Sequence, residues 1–374
     1  MTIQDQASFG ADINNRQSAQ PRSLIQPPAP PLIQDAPAVG RPVDEYADLR
    51  RLVTERGLLD KQTSYYAYKM ASTVGLLALS IAVLVLVDNL WVQLLNAGFL
   101  AFVFAQIGFI GHDAGHRQIF RSARNNEFTS LVVCFLLALD RSWWLDKHGR
   151  HHNNPNHLAL DPDADFPVLA FTKEQALKRK GIFRFIVRNQ AFLFYPMLLF
   201  EGLGLRIAGS QYLLANKIKY PLVEPLLMLG HFAAYLALLF FFLSPWHVLW
   251  FILVHQALFG LIMGSVFAPN HKGMLMVGED DELDFLRRQV LTARNVKANF
   301  FTDFWYGGLN YQIEHHLFPN MPRNNLTEAQ EITKAICEKY SVSYHETGIL
   351  ESQKEILQFL HQESAPLRGA AAEA

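Results

Sequence analysis

Long uncharged stretches alternate with polar segments along this chain of 374 residues. Residues 71–87 contain no Asp, Glu, Lys or Arg, and after Asp88 residues 89–111 are again uncharged. A third uncharged stretch covers residues 225–270 and is interrupted by Ser244-Pro245. One membrane-spanning helix needs about 20 apolar residues. The pattern therefore predicts four spans in two hairpins, at about 70–88, 90–110, 222–243 and 246–268.

A soluble protein with four buried helices is the alternative to this prediction. Half of the residues are hydrophobic and only 18% are charged, whereas soluble proteins contain about 25% charged residues. We therefore predict an all-α integral membrane protein whose polar segments form a helical domain. Two other apolar stretches, 128–139 and 191–205, are too short or too interrupted to span. We expect them to lie along the membrane surface or beneath the polar domain.

The two ends of the chain differ in composition from its middle. Residues 1–42 are rich in Pro, Gln and Ala and contain no apolar segment typical of a signal peptide, which predicts a disordered tail. Residues 43–361 form the predicted membrane domain, where helical patterning over 326–341 and 350–361 indicates a soluble cap. Residues 362–374 are predicted to be a second disordered tail.

The distribution of basic residues predicts the orientation in the membrane. The short loops inside the hairpins, Asp88-Asn89 and Ser244-Pro245-Trp246, contain no Lys or Arg. Residues 111–220 contain 15 of them, and residues 271–300 contain five. Because basic residues accumulate on the cytoplasmic side, we expect both termini and both polar segments to be cytoplasmic. The net charge of −1 gives no electrostatic reason to expect a nucleic-acid partner.

Half of the 14 histidines lie in three short clusters within the polar segments. Histidines four residues apart project from one face of a helix, so both rings of the first cluster can bind one metal ion. Histidines hydrated at the surface are the alternative, but three clusters on one side of a membrane favour a metal site. The clusters HDAGH, HGRHH and QIEHH contain His112 and His116; His148, His151 and His152; and Gln312, His315 and His316.

The number of donor side chains indicates two metal ions. His271 follows the fourth predicted span at the same membrane face, and the amide oxygen of Gln312 is a further potential ligand. Eight histidines and one glutamine supply four or five donors for each of two ions, although imidazole does not select among Fe, Zn, Cu and Ni. A membrane-bound pair of ions on the cytoplasmic side favours oxygen chemistry on a lipid. Nearby acidic residues are candidates to orient the rings: Asp113, Asp146, Asp161, Asp163, Asp165 and Glu314.

Histidines inside the predicted spans have a different interpretation. His255 precedes His271 by 16 residues, which is about 24 Å along a helix, so it cannot join the metal site. We interpret His231 and His255 as neutral, hydrogen-bonded core residues. For Trp143 and Trp144, which precede the second cluster, two interpretations stay open: lining an acyl entrance or anchoring at the membrane interface.

The three clusters resemble the histidine boxes HxxxH, HxxHH and QxxHH of the membrane-bound fatty acid desaturases. The resemblance covers about residues 43–360 and includes the segments DPDADF, FAPNHKGM and QIEHHLFPNMPR. A third box that begins with Gln and is followed by LFP is similar to the front-end subgroup. Members of that subgroup place a double bond between an existing one and the carboxyl end, as in Δ6 or linoleoyl desaturases.

The resemblance implies a diiron centre, with O2 and a fatty acyl-CoA or acyl-lipid as substrates. Gln312 stands where other members carry a histidine. Many eukaryotic members of the subgroup carry a fused haem domain with a His-Pro-Gly-Gly motif, which this sequence lacks. We therefore expect electrons from a separate protein, a ferredoxin or a ferredoxin-like reductase. The implied ligands are His112, His116, His148, His151, His152, His271, His315 and His316, together with Gln312.

Two other classes of function compete with desaturation. A membrane hydroxylase of alkanes, sterols or carotenoids would use a similar diiron site, but QIEHHLFP resembles a desaturase box. A metal binder, a lipid binder or a transporter would belong to a different class. Against transport, the histidines cluster outside the predicted spans, whereas transporters bind substrate near the bilayer midplane.

Overall fold

The computed structural model describes residues 44–369. These residues are mostly helical because long apolar runs alternate with capped amphipathic segments. In chain order, the helices are α1 Glu45–Glu55, α2 Thr63–Leu86, α3 Leu90–Gly115, α4 Ala123–Leu137, α5 Arg141–Asn153, α6 Lys173–Lys178, α7 Gly181–Arg188, α8 Gln190–Leu198, α9 Glu201–Ala215, α10 Val223–Phe242, α11 Pro245–His271, α12 Phe285–Leu291, α13 Phe300–Tyr306, α14 Gln312–Leu317, α15 Leu326–Lys339, α16 Ile349–Glu363 and α17 Pro366–Gly369.

Four of these helices, α2, α3, α10 and α11, are long and apolar enough to cross a membrane, which confirms the four predicted spans. They differ in how much of their apolar surface other helices cover. Half or more of the apolar window of α3 and α11 is buried, against 17% in α2 and α10. The pair α3 and α11 therefore forms the centre of the apolar half, and α2 and α10 present side chains to surrounding lipid.

The spans begin and end at different residues from those predicted. The helix α3 continues five residues beyond 110, to Gly115, and α11 continues to His271. Asn89 and Ser244 cap their first turns by accepting hydrogen bonds from backbone N–H groups, as is usual at helix starts. The extension brings His112 and His271 onto the last turns of two helices that pack against each other.

Two pairs of shorter helices bend sharply under the polar half. The angle is 111° between α4 and α5 and 76° between α8 and α9, and each pair has the composition of a broken span or a re-entrant loop. Ala138 adopts a left-handed conformation (φ 50°) at the first bend. Close packing of α11 on the second bend requires Gly260, because a Cβ there would lie 2.5 Å from the carbonyl oxygen of Leu198.

The remaining helices form a polar half with its own apolar core. Its largest cluster includes Leu49 and Val53 of α1 and Ile336 of α15. The two short strands, β1 Asn295–Val296 and β2 Glu346–Thr347, pair in parallel.

The structure differs from the sequence prediction at the C-terminal end, where α16 runs through residue 363 and α17 follows it. Leu367 of α17 is buried in a small apolar cluster, which explains why this part of the predicted tail is ordered. The predicted tail over residues 1–42 lies outside the described residues.

Candidate metal centre

The first histidine cluster lies on the last turn of α3 and directly after it. The ring centroids of His112 and His116 are 4.7 Å apart. Nε2 of His112 is buried and has no hydrogen-bond partner within the described residues. A buried nitrogen lone pair of this kind is costly unless a metal ion or a proton donor occupies the position next to it.

The second cluster lies on α5, which begins at the N-cap residue Asp140. His148 and His152 are one helical turn apart, and their Nε2 atoms are separated by 3.1 Å. Nε2 of His148 is also 2.8 Å from Nε2 of His116. The helix therefore directs two of its imidazoles at the end of α3.

His151 points to a different part of the site from its neighbours on α5. Its Nε2 atom lies 3.2 Å from Nε2 of His271, the last residue of α11. The ring centroids of His151 and His316 are 5.1 Å apart. The second cluster therefore directs His148 and His152 at one group of imidazoles and His151 at another.

The third cluster lies on α14, every residue of which is buried. Burial and the neighbouring imidazoles lower the pKa values of His315 and His316 well below the usual range of histidine. Both rings are therefore neutral at pH 7, which leaves one nitrogen of each ring with a free lone pair.

The donor atoms form two groups that can each hold a metal ion. The atoms within each group lie within 4.8 Å of one another. His152 lies between the groups, since its Nε2 is 3.1 Å from Nε2 of His315 and its ring stacks on His316 with centroids 4.2 Å apart. The first group is His112, His116, His148 and His315, and the second is His151, His271 and His316.

Hydrogen bonds behind the second group orient its rings. The carbonyl oxygen of Thr292 accepts from Nδ1 of His271 at 2.9 Å, so Nδ1 carries the proton and Nε2 is free to bind a metal ion. Asp161 contacts Nδ1 of His151 and Gln289 contacts Nδ1 of His316, each at 2.9 Å. The three Nε2 atoms of this group are thereby directed inwards.

Gln312 lies beside the second group. Its Nε2 is 3.0 Å from Nε2 of His271, and its Oε1 accepts a hydrogen bond from Asn270 at 2.9 Å. Rotating the amide by 180° would turn its oxygen towards the position that His271 faces.

Acidic residues near the site have unequal roles. Burial opposes ionisation of Asp163, but the ammonium group of Lys147 holds the pKa of that carboxyl below its usual range. Asp113 lies 3.3 Å from Nδ1 of His112 and also pairs with buried Arg323. Of the six acidic candidates, Asp161 and Asp113 contact histidine rings by way of Nδ1, and Asp163 lies 3.9 Å from Nδ1 of His151.

The other acidic candidates have different partners. Asp146 pairs with Arg150, and Asp165 pairs with Arg179. Glu314 accepts hydrogen bonds from Asn295 and Tyr344. These two hydrogen bonds support α14 from behind the histidines. Burial raises the pKa of Glu314 to about 7.

Two residues that orient the rings, Gln289 and Thr292, could not be found from the sequence. They lie on and after α12, which carries no histidine box. Asn156 supports the backbone around them, because its side chain donates to the carbonyl oxygens of His271 and Thr292. An amide or a carbonyl that faces an imidazole leaves no signal in residue spacing.

An aromatic side chain covers the first donor group. The indole of Trp144 stacks on His148 with centroids 4.5 Å apart and meets the ring of His112 edge-on. It occupies the space beside Gly115, where a Cβ would lie 2.1 Å from the indole. The glycine of HDAGH thus lets the indole reach the rings of His112 and His148.

The histidines of the spans lie apart from both donor groups. His255 is buried, and its Nδ1 is 2.8 Å from the hydroxyl of Tyr235. His231 stacks on the same tyrosine, with ring centroids 5.7 Å apart.

The sequences of known proteins that this chain resembles extend across the residues of this site. The family model described as fatty acid desaturase matches residues 89–348, which includes both donor groups. The chain is 29% identical to an acyl-lipid (9-3)-desaturase of Physcomitrium patens, over 90% of this chain and 63% of that protein. It is 31% identical to the Delta(6)-fatty-acid desaturase fat-3 of Caenorhabditis elegans, over 81% and 71%. A Delta(8)-fatty-acid desaturase of Euglena gracilis is 27% identical, over 82% and 75%. The chain thus spans less than two thirds of the moss relative.

Proposed function

The chain belongs to the fatty acid desaturase family, and from this premise we propose that it is an O2-dependent front-end desaturase of fatty acyl chains. The reaction removes two hydrogens from adjacent CH2 groups and leaves a cis double bond. One O2, two electrons and two protons are consumed, and two water molecules are released. The observation that carries the proposal is the convergence of seven imidazoles into two adjacent donor groups.

The donor set fits two iron ions. His112, His116, His148 and His315 would hold one ion, and His151, His271 and His316 would hold the other. His152 would join the first group, because its Nε2 lies 3.1 Å from Nε2 of His148 and of His315, and Gln312 would complete the second group. When bound, the irons supply the O2-dependent oxidation of unactivated C–H bonds, which no side chain provides.

The protein contributes orientation and exclusion of water. Asp161, Thr292 and Gln289 fix the rings of the second group, so the donors are in place before a metal ion arrives. Trp144 covers the first group and keeps solvent from the reacting carbons. Because Trp144 lies against His148, lining the acyl entrance fits its position better than anchoring at the membrane interface.

The front-end position of the new bond is supported by the names of the relatives, which include (9-3), Delta(6) and Delta(8) desaturases. The substrate is a fatty acyl-CoA or acyl-lipid, and a separate ferredoxin or ferredoxin-like reductase delivers the electrons. Basic residues beside the histidine boxes support a cytoplasmic site in a multi-pass protein with cytoplasmic termini. A diiron hydroxylase is not favoured, because these relatives are all named desaturases.

Expression with a ferredoxin and its reductase in a host that is supplied with linoleate tests this function. We expect a new double bond on the carboxyl side of the existing ones, located by gas chromatography–mass spectrometry of total fatty acids. A new bond in saturated chains alone would contradict the front-end assignment. Hydroxylated lipid without new alkene, from iron-loaded protein, would contradict desaturation itself.

A further inference from the structure

Two carboxyl groups from different helices meet at the start of α5. Asp140 is the N-cap residue, and its Oδ1 accepts a hydrogen bond from the backbone N–H of Trp143 at 2.5 Å. Glu224, from the first turn of α10, accepts from the backbone N–H of Ser142 at 2.8 Å and from its hydroxyl at 2.7 Å. The third span is thereby tied to the helix that carries His148, His151 and His152.

The pair is enclosed by protein on several sides. Both side chains are fully buried. The helix α9 closes one side, since a Cβ at Gly209 would lie 3.0 Å from Cβ of Asp140. The nearby cation, Arg141, pairs with Glu127 at 3.0 Å, and Lys219 pairs with the same Glu127. Other groups that face the pair are Cys134 of α4 and Tyr212 of α9.

The surroundings favour one negative charge and not two. A helix N-terminus stabilises an anion, but two ionised carboxylates in contact inside a protein repel each other strongly. Burial, followed by the neighbouring Glu224 carboxyl, raises the pKa of Asp140 to about 7. Oδ2 of Asp140 is buried and has no hydrogen-bond partner among the described residues, so this oxygen is available to carry a proton.

We propose that Asp140 and Glu224 share one proton and act as positioning residues that set the placement of α5 against α10. His148 lies six residues after Ser142, which is about 9 Å along the helix. A shift at the first turn is therefore transmitted to His148, His152 and Trp144. An effect of the pair on catalysis depends on the proposed metal centre. The placement of α5 against α10 can be measured in the metal-free protein.

Four variants test whether the two carboxyl groups share a proton and whether they position α5. Glu224→Ala removes the tie to α10, and we expect iron affinity or turnover to fall about tenfold or more, together with a changed iron K-edge X-ray absorption spectrum. Glu224→Gln keeps an acceptor for Ser142 and supplies an N–H in place of the shared proton, so we expect near wild-type behaviour. The double variant Asp140→Asn/Glu224→Gln removes the remaining negative charge and is expected to resemble Glu224→Ala. Glu127→Gln, the control, breaks ion pairs at the same helix end and is expected to leave activity and spectrum unchanged.

Hydrogen exchange of the metal-free protein gives the second readout. We expect faster exchange at the amides of residues 142–147 in Glu224→Ala and wild-type exchange in Glu224→Gln. If Glu224→Ala lowers only thermal stability, with spectrum, turnover and exchange as in the control, the positioning role is wrong. If Glu224→Gln is as impaired as Glu224→Ala, the shared proton is wrong. If wild-type protein makes no alkene, the proposed function fails, whereas the exchange data still decide the helix placement.

Discussion

Replacing His152 by alanine is expected to abolish desaturation and to release metal from the first donor group. Its Nε2 lies 3.1 Å from Nε2 of His148 and 3.1 Å from Nε2 of His315. Its ring also stacks on His316 in the second group. Loss of a residue behind a metal ligand costs about 10–100-fold in affinity or activity, and loss of a ligand itself should cost more. Product formation and iron content of the purified protein measure the effect.

A matched control is His361→Ala, because His361 is exposed on α16 and lies outside both donor groups. The control should keep wild-type activity and iron. A His152→Ala protein that retains all of its iron and desaturates normally would remove His152 from the ligand set.

Replacing Arg294 by methionine is expected to destabilise the protein and to weaken metal binding at His271. The Arg294 side chain is fully buried and pairs with Glu355 of α16. It also donates to the carbonyl oxygens of Pro269 and Lys272, which flank His271 at the end of α11. Removing one partner of a buried ion pair costs about 3–5 kcal/mol. Because Glu355 is 25% exposed, we expect the lower end of that range, measured by denaturant unfolding in detergent.

The comparison variant for this position is Arg287→Met. Arg287 also forms an ion pair, with Glu45, but both side chains are partly exposed, and such pairs contribute about 0–1 kcal/mol. We expect it to unfold like wild type and to keep its iron. Equal stability and equal iron content in the two variants would show that Arg294 does not hold the end of α11.

The spans and the histidine boxes were predictable because each depends on a local property of the sequence. The absence of charge over about 20 residues identifies a span without knowledge of its neighbours. The spacing of His112 and His116 places two rings on one helix face. His271 was assigned from its place after the fourth span, and the structure brings it within 3.2 Å of His151.

Other parts of the site depend on contacts between distant segments. Gln289 and Thr292 face histidines that are 27 and 21 residues away in the chain. At the two bends, α4 packs against α3, and α8 and α9 pack against α11. At the C-terminal end, Leu367 of α17 is buried in a small apolar cluster with residues of other helices.

We propose that eight histidines and Gln312 hold two iron ions. Mössbauer spectroscopy of the protein purified from cells grown on 57Fe, together with its iron content, measures how many irons are bound and whether they form a pair. We expect two iron ions per chain, with magnetic coupling that indicates a pair. One iron per chain, two uncoupled irons, or zinc in place of iron in an active preparation would contradict it.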